Sequence, residues 1–124
     1  MREKLLRKPL GMELREQDFE NEETQYHFGI FEKNKLLACL VAKPVNDKVV
    51  QLRQMAVLPE YQGKGIGEVL MESTESELRG RDYNQIWLNA RIEVERFYQN
   101  LGYKAVGNEF MEVTIPHVKM EKAL

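Results

Sequence analysis

Between Val57 and Gly67 the periodicity of the sequence changes, and three glycines at alternate positions, Gly63, Gly65 and Gly67, mark the change. Before them, Val49 to Val57 (VVQLRQMAV) reads as a strand. After them, Ile66, Val69, Leu70, Ser73 and Glu77 or Leu78 recur at spacings of three and four, the stripe of a helix packed on a sheet, and Gly80 ends it. A strand that enters a helix through such a loop exposes the first N–H groups of the helix beside the positive end of its dipole. Phosphate or pyrophosphate suits that environment. Ordinary packing at a helix start is the alternative that the glycines alone leave open. Two common phosphate motifs do not match. Gly67 is followed by Glu68-Val69 rather than Lys-Ser or Lys-Thr, and the glycine spacing is not that of a dinucleotide fingerprint.

The rest of the chain supplies the partners of this strand and helix. Met1 to Arg7 resembles the last turns of a helix stopped by Pro9 and Gly11. Glu13 to Glu23 carries six acids and one base, and is expected to be a loop or a short, poorly anchored helix; a negative rim for a cationic amine is its functional alternative. Gln25 to Glu32, Leu36 to Val45 and Val49 to Val57 are strands separated by the turns Lys33-Asn34-Lys35 and Asn46-Asp47-Lys48, an antiparallel meander. Gln85 to Asn89 is a buried strand, Ile92 to Leu101 a short helix capped by Gly102, and Tyr103 to Val106 and Glu112 to Met120 are the last strands. The order β-β-β-α-β-α-β-β is that of an α/β (α+β) fold, a mixed, mostly antiparallel sheet with flanking helices.

Composition limits the function classes. A chain of 124 residues is the size of one domain. Its formal charge of −2, with acids and bases interspersed, offers no footprint for nucleic acid or an anionic membrane. One cysteine and two histidines exclude an internal disulfide and a typical structural zinc site, and no metal is expected. Cys39, inside the apolar run Leu36 to Val41, is expected in the core. No apolar run is long enough to span a bilayer and no secretory signal is visible, so a cytoplasmic location is expected.

Two segments carry a resemblance. Met55-Ala56-Val57-Leu58-Pro59-Glu60-Tyr61-Gln62-Gly63-Lys64-Gly65-Ile66-Gly67 resembles the acyl-CoA-binding motif of the GNAT superfamily of N-acyltransferases, whose core Q/R-x-x-G-x-G/A is matched by Gln62, Gly65 and Gly67. Trp87-Leu88-Asn89-Ala90-Arg91, with Phe97-Tyr98-Gln99-Asn100-Leu101-Gly102-Tyr103 after it, is similar to the strand and helix of that family that bring a tyrosine near the thioester sulfur. The resemblance covers about Gln25 to Met120, and the order of elements agrees with it.

The resemblance implies a single GNAT-like domain over 1–124 with acetyl-CoA as acyl donor and an unidentified amine as acceptor. On this basis the loop amides of Gln62, Gly63, Lys64, Gly65, Ile66 and Gly67 hold the CoA pyrophosphate, and Met55, Ala56 and Val57 pair with the pantetheine arm. An N–H near Val57 polarises the thioester carbonyl, and Asn89 and Tyr98 close the other wall. Tyr98 has a chemical rationale as general acid: a phenol of pKa near 10 is still protonated at neutral pH and can protonate a departing thiolate. Packing beside Phe97 is its bland alternative, and Tyr103 and Tyr61 read as packing residues. Deprotonating an alkyl ammonium at pH 7 costs roughly 4.6 kcal/mol, so a base or a water chain is needed. His117, Glu112 and, more distantly, His27 are candidates for it, with a sheet-bound structural role the alternative for His117; Gln54 stands where many relatives place a glutamate.

Compared with that family the N-terminus is short, lacking the usual first strand and part of the first helix. Gln25 to Glu32 would then be an exposed edge that a homodimer partner or an N-terminal segment must cover. The expected activity is N-acetyl transfer by direct attack in a ternary complex, Cys39 being placed away from the thioester. The alternatives are a non-catalytic CoA-binding or sensor module of the same fold and a protein whose loop binds another phosphate ligand.

Overall fold

The computed structural model describes residues 11–17 and 25–124. Its seven strands form one sheet in the order β1-β2-β3-β4-β5-β7-β6, with β1 Met12–Gln17, β2 Tyr26–Glu32, β3 Lys35–Pro44, β4 Val49–Val57, β5 Gln85–Arg91, β6 Lys104–Glu112 and β7 Ile115–Ala123. Helix α1, Ile66–Gly80, joins β4 to β5, and α2, Glu95–Asn100, follows a short 3-10 turn at Ile92–Val94. Only β4 and β5 run parallel; the other neighbours are antiparallel. A parallel pair requires a crossover, and α1 provides it.

Alternation along the strands places the core. Phe28 and Ile30 of β2, Leu40 and Ala42 of β3, Val50 and Leu52 of β4, Ile86 and Leu88 of β5 and Val118 and Met120 of β7 are buried in one cluster with Ile66, Val69, Leu70, Met71 and Leu78 of α1. The helical stripe expected from spacing is therefore the buried face, and Thr74 and Glu75 belong to it too.

Several expectations need correction. Met12–Gln17 is a strand, whereas Glu13 to Glu23 was expected to be a loop or short helix. Met12 is buried and Leu14 packs against the core, while Glu13 and Arg15 alternate with them, so the charges obscured a two-residue period. Strand β1 pairs with β2 from Met12↔Glu32 to Gln17↔His27, so the edge of β2 is covered within the chain. The expected helix before Pro9 and most of the acidic stretch lie outside the described residues. Strand β6 extends to Glu112 and β7 begins only at Ile115, because Val113 and Thr114, with φ of 51° and 60°, form the tight turn between them. As an edge strand, β6 is exposed along most of its length and carries no apolar alternation from which its extent could be read. Cys39 is half-buried and lies outside the core cluster; it pairs across the sheet with Ala56, beside the segment from which it was expected to be remote.

Arg81, at the C-terminal cap of α1, ties β1 and β2 to the helix. Its guanidinium bonds Glu77 at 2.9 Å and Glu16 at 2.6 Å, and lies 4.7 Å from the centre of the Tyr26 ring and 5.5 Å from that of Phe28. Burial works against its charge, but the hydrogen bonds with Glu16 and Glu77 outweigh burial and raise its pKa above the ordinary value. Arg81→Ala should therefore cost on the order of 1 to 2 kcal/mol. Thermal unfolding would read the loss, and amide exchange should accelerate in Met12–Gln17 more than in β7; unchanged protection of β1 would show that Arg81 does not hold it.

Candidate active site

Strands β4 and β5 are joined only from Val49↔Gln85 to Gln51↔Trp87 and separate beyond that point. The cause lies partly in a bulge. Val41 faces Arg53 and Cys39 faces Ala56, so Gln54 and Met55 together oppose Leu40 alone, and Gln54 takes a left-handed φ of 54°. A bulge bends its strand and increases the local twist. Leu58 donates its N–H to Leu37 at 2.9 Å, and the alternation of a strand turns the N–H of Val57 to the other side, toward the opening.

At the end of β4 the chain makes a 3-10 turn over Pro59–Tyr61 and enters the glycine loop. Gln62 folds back and its Nε2 donates to the Val57 carbonyl at 3.0 Å, so this side chain holds the loop to the strand end. The three glycines divide into two roles. Gly63 and Gly65 have φ of 77° and 82°, and a Cβ on either would meet nothing within 4 Å; they supply a left-handed turn and an uncluttered surface. Gly67 is different, because a Cβ there would lie 3.2 Å from Met55 Cε and 3.3 Å from Phe97 Cζ. It permits close packing, so the packing alternative holds for this glycine and not for the other two. Gly65 caps α1 without a side-chain hydrogen bond, which leaves the first-turn amides unobstructed by any cap. Ile66 is buried and can offer a ligand only its backbone. Lys64 is exposed, with its Nζ 5.7 Å from the centre of the Tyr61 ring, and Lys35 Nζ lies 5.2 Å from the centre of the same ring, so two ammonium groups lie by the loop at Tyr61.

The opposite wall comes from β5 and α2. Tyr98 reaches across the opening and its hydroxyl donates to Met55 Sδ at 3.6 Å, a weak acceptor. Its ring meets Phe97 edge-on at 5.0 Å and Tyr103 at 5.9 Å. Burial raises the Tyr98 pKa above the usual phenol value, so it remains a proton donor well into the alkaline range. The structure thus brings together Met55, Gly67 and Tyr98. Asn89 is exposed on β5, in register with Lys119.

His117 stands apart from that group. It lies on β7 opposite Arg91 and Phe110, is 9% exposed, stacks on Phe110 at 5.9 Å, and its Nδ1 donates to the Ile115 carbonyl at 2.7 Å. That bond leaves Nε2 as the acceptor of the neutral ring. Glu112 is exposed at the β6–β7 turn, and His27 pairs with Val41, with β3 between it and β4. Tyr103, read as a packing residue, also donates its hydroxyl to the buried carboxylate of Glu75 at 2.8 Å. No spacing in the sequence connects those two positions; an acid on the inner stripe of α1 was the available sign.

Among the described residues no helix is long and apolar enough to cross a membrane. A family model described as an acetyltransferase (GNAT) domain matches residues 7–124. The chain is 29% identical over 98 residues to the uncharacterized protein YyaT of Bacillus subtilis, covering 79% of this chain and 66% of that one, just under two thirds of its length. It is 28% identical over 134 aligned positions to the uncharacterized N-acetyltransferase YitI of Bacillus subtilis, covering 100% of this chain and 88% of YitI. In fold it is similar to a GNAT family acetyltransferase from Elizabethkingia anophelis crystallised with acetyl-CoA bound, with a TM-score of 0.77 at 12% identity over 94% of this chain and all of the other.

Burial raises the pKa of both Tyr98 and Tyr103, the latter helped by the neighbouring Glu75 charge and hydrogen bond. Folded phenols therefore keep their protons where unfolded ones, with pKa near 10, release them. Their contribution to stability is present below about pH 10 and is lost as the pH rises toward the folded values. Thermal unfolding followed from neutral pH to about pH 11 should show a steepening decline in wild type and a shallower one in Tyr103→Phe; parallel curves would remove Tyr103 from the alkaline transition.

Proposed function

The chain belongs to the GNAT family of acetyl-CoA-dependent acetyltransferases, and we propose that it passes the acetyl group directly to a primary amine within a ternary complex. The observation that carries this reading is the opening between β4 and β5 with the Tyr98 hydroxyl set across it, 3.6 Å from Met55 Sδ. The amides from Gln62 to Gly67 donate to the pyrophosphate of CoA at the α1 N-terminus, and Lys64 adds positive charge beside it. The unpaired side of Met55, Ala56 and Val57 takes the pantetheine arm as an added strand. Val57 N–H then faces the thioester carbonyl oxygen and stabilises the charge that develops there. Asn89 lies on the other wall, where it bonds the acyl-CoA arm or the acceptor.

The amine nitrogen attacks the carbonyl carbon, the C–N bond forms, and collapse of the tetrahedral intermediate breaks the C–S bond. Tyr98 gives its proton to the leaving thiolate. The proton released by the amine passes through water, with Nε2 of His117 as its acceptor, and returns to the phenolate by way of solvent. Cys39 has no part in this route although it lies across from Ala56, since direct attack needs no protein nucleophile. With β1 covering β2, a homodimer formed through an edge strand would use β1 or β6.

A thermal unfolding series with acetyl-CoA, CoA, ATP and NAD tests the donor. A ligand at 100 times its dissociation constant adds about 2.7 kcal/mol, so acetyl-CoA and CoA should raise Tm and the other two should not. Gly65→Asp, which puts bulk and negative charge at the pyrophosphate, should abolish the CoA shift; a full shift in that variant would refute the loop assignment. A screen of peptide α-amines, lysine side chains, polyamines, aminoglycosides and small amines then identifies the acceptor. Release of CoA with any of them separates the enzyme from a non-catalytic CoA-binding module.

Tyr98→Phe should lower turnover tenfold or more, toward the roughly 100-fold of a general acid, with CoA affinity unchanged. Equal turnover, with acetyl transfer shown to be the slow step, would exclude the phenol as the acid.

A further inference from the structure

Behind Tyr98 lies a closed ring of interactions with no place in the chemistry described so far. Glu75, on the inner face of α1, is only 4% exposed. Its Oε2 accepts from the Tyr103 hydroxyl at 2.8 Å and its Oε1 from Lys122 Nζ at 2.8 Å. Lys122, on β7, also donates to the carbonyl of Leu101 at 2.6 Å, at the C-terminal end of α2. The ring closes through the backbone, since the Tyr98 carbonyl accepts from the N–H groups of both Leu101 and Tyr103, each at 3.0 Å. Gly102 makes room for it: its φ is 98°, and a Cβ there would lie 3.3 Å from Lys122 Cε.

We propose that Glu75, Tyr103 and Lys122 are positioning residues that hold the C-terminal turn of α2, and through it the Tyr98 phenol, in place across the opening between β4 and β5. The inference rests on the reading of Tyr98 as the acid that meets the CoA sulfur. Two physical points carry it. A short helix of six residues has little stability of its own and takes its position from what it is attached to. The ammonium of Lys122 on its last turn is the favourable charge for a helix C-terminus. In addition, an ion pair with one buried partner, Glu75, and one partly exposed partner, Lys122, contributes little net stability, so its geometry is what it adds here. That geometry links three separate elements, α1, β7 and the end of α2, at one carboxylate. The edge-on contact of the Tyr103 and Tyr98 rings at 5.9 Å transmits the constraint to the phenol itself.

The test uses the whole chain with 13C-labelled tyrosine rings, the Tyr98 signal being assigned by its loss in Tyr98→Phe, and CoA as the probe. In wild type, CoA should shift the Tyr98 signal. Tyr103→Phe keeps the aromatic ring and removes only the hydroxyl; it should displace the Tyr98 signal before CoA is added and remove the CoA-induced shift, with CoA affinity unchanged. Lys122→Gln, at a partly exposed site and so tolerated where Tyr103→Phe is not, should act the same way, and Lys122→Arg, which keeps the charge, should restore the wild-type pattern. A Tyr98 signal and CoA response identical to wild type in Tyr103→Phe and Lys122→Gln would overturn the positioning role alone. Absence of any CoA response at Tyr98 in wild type would overturn the acid reading and the positioning role with it.

Discussion

A parallel strand pair that stops after three residues leaves the main-chain groups of Leu52 to Val57 on one side without a ladder, and in a folded protein such groups need a partner or water. Here the opening is kept by rigid surroundings. The bulge at Gln54 and Met55 bends β4 away, and α1 starts immediately beyond it, where Gly67 lets Met55 and Phe97 close in. A left-handed φ on Gln54 is a local cost that persists only where the fold around it over-determines the backbone. The same distortion that unpairs β4 aims the Val57 N–H into the gap. On the function proposed above, an acyl-CoA arm would complete the strand pairing that β4 and β5 leave open.

Around that gap the molecule divides its labour between rigid packing and open backbone. Leu70, Met71 and Leu78 fix α1 on the sheet with no exposure to speak of, and Arg81 at the end of the helix fastens β1 and β2 to it. At the opposite end of the same helix the amides of the first turn carry no cap. One helix is therefore anchored by its buried stripe and its C-terminus, and its N-terminus is left uncapped, an end where the dipole favours an anion. Tyr98 comes from a much shorter helix, whose C-terminal turn is tied to Lys122 at the Leu101 carbonyl and, through Tyr103, to Glu75.

The strand meander, the crossover helix, the glycine loop and the Phe97 to Tyr103 segment were legible because each rests on short-range rules: alternation, a three-to-four spacing, and residues that only a turn or a helix end requires. The acid-rich β1 and the exposed β6 were not, since an edge strand shows its period on one face at most and charge masks it. His117 could be named from its letter and neighbours, but its ring is stacked on Phe110 and bonded to Ile115, contacts that depend on β6 folding back along β7.

The sequence by itself determined the kind of loop and the helix that follows it, because glycine spacing and hydrophobic period are properties of neighbouring residues; the family entered through the resemblance of two motif segments. Only the tertiary structure decided that Gly67 serves packing while Gly63 and Gly65 serve the backbone, that Cys39 lies beside Ala56, and that Glu75 meets Tyr103 and Lys122. The physical reason is the same in each case. These contacts join residues a dozen or more positions apart, and their distances are set by how the bulged β4 leaves its neighbour and how α1 crosses the sheet, which no local pattern encodes.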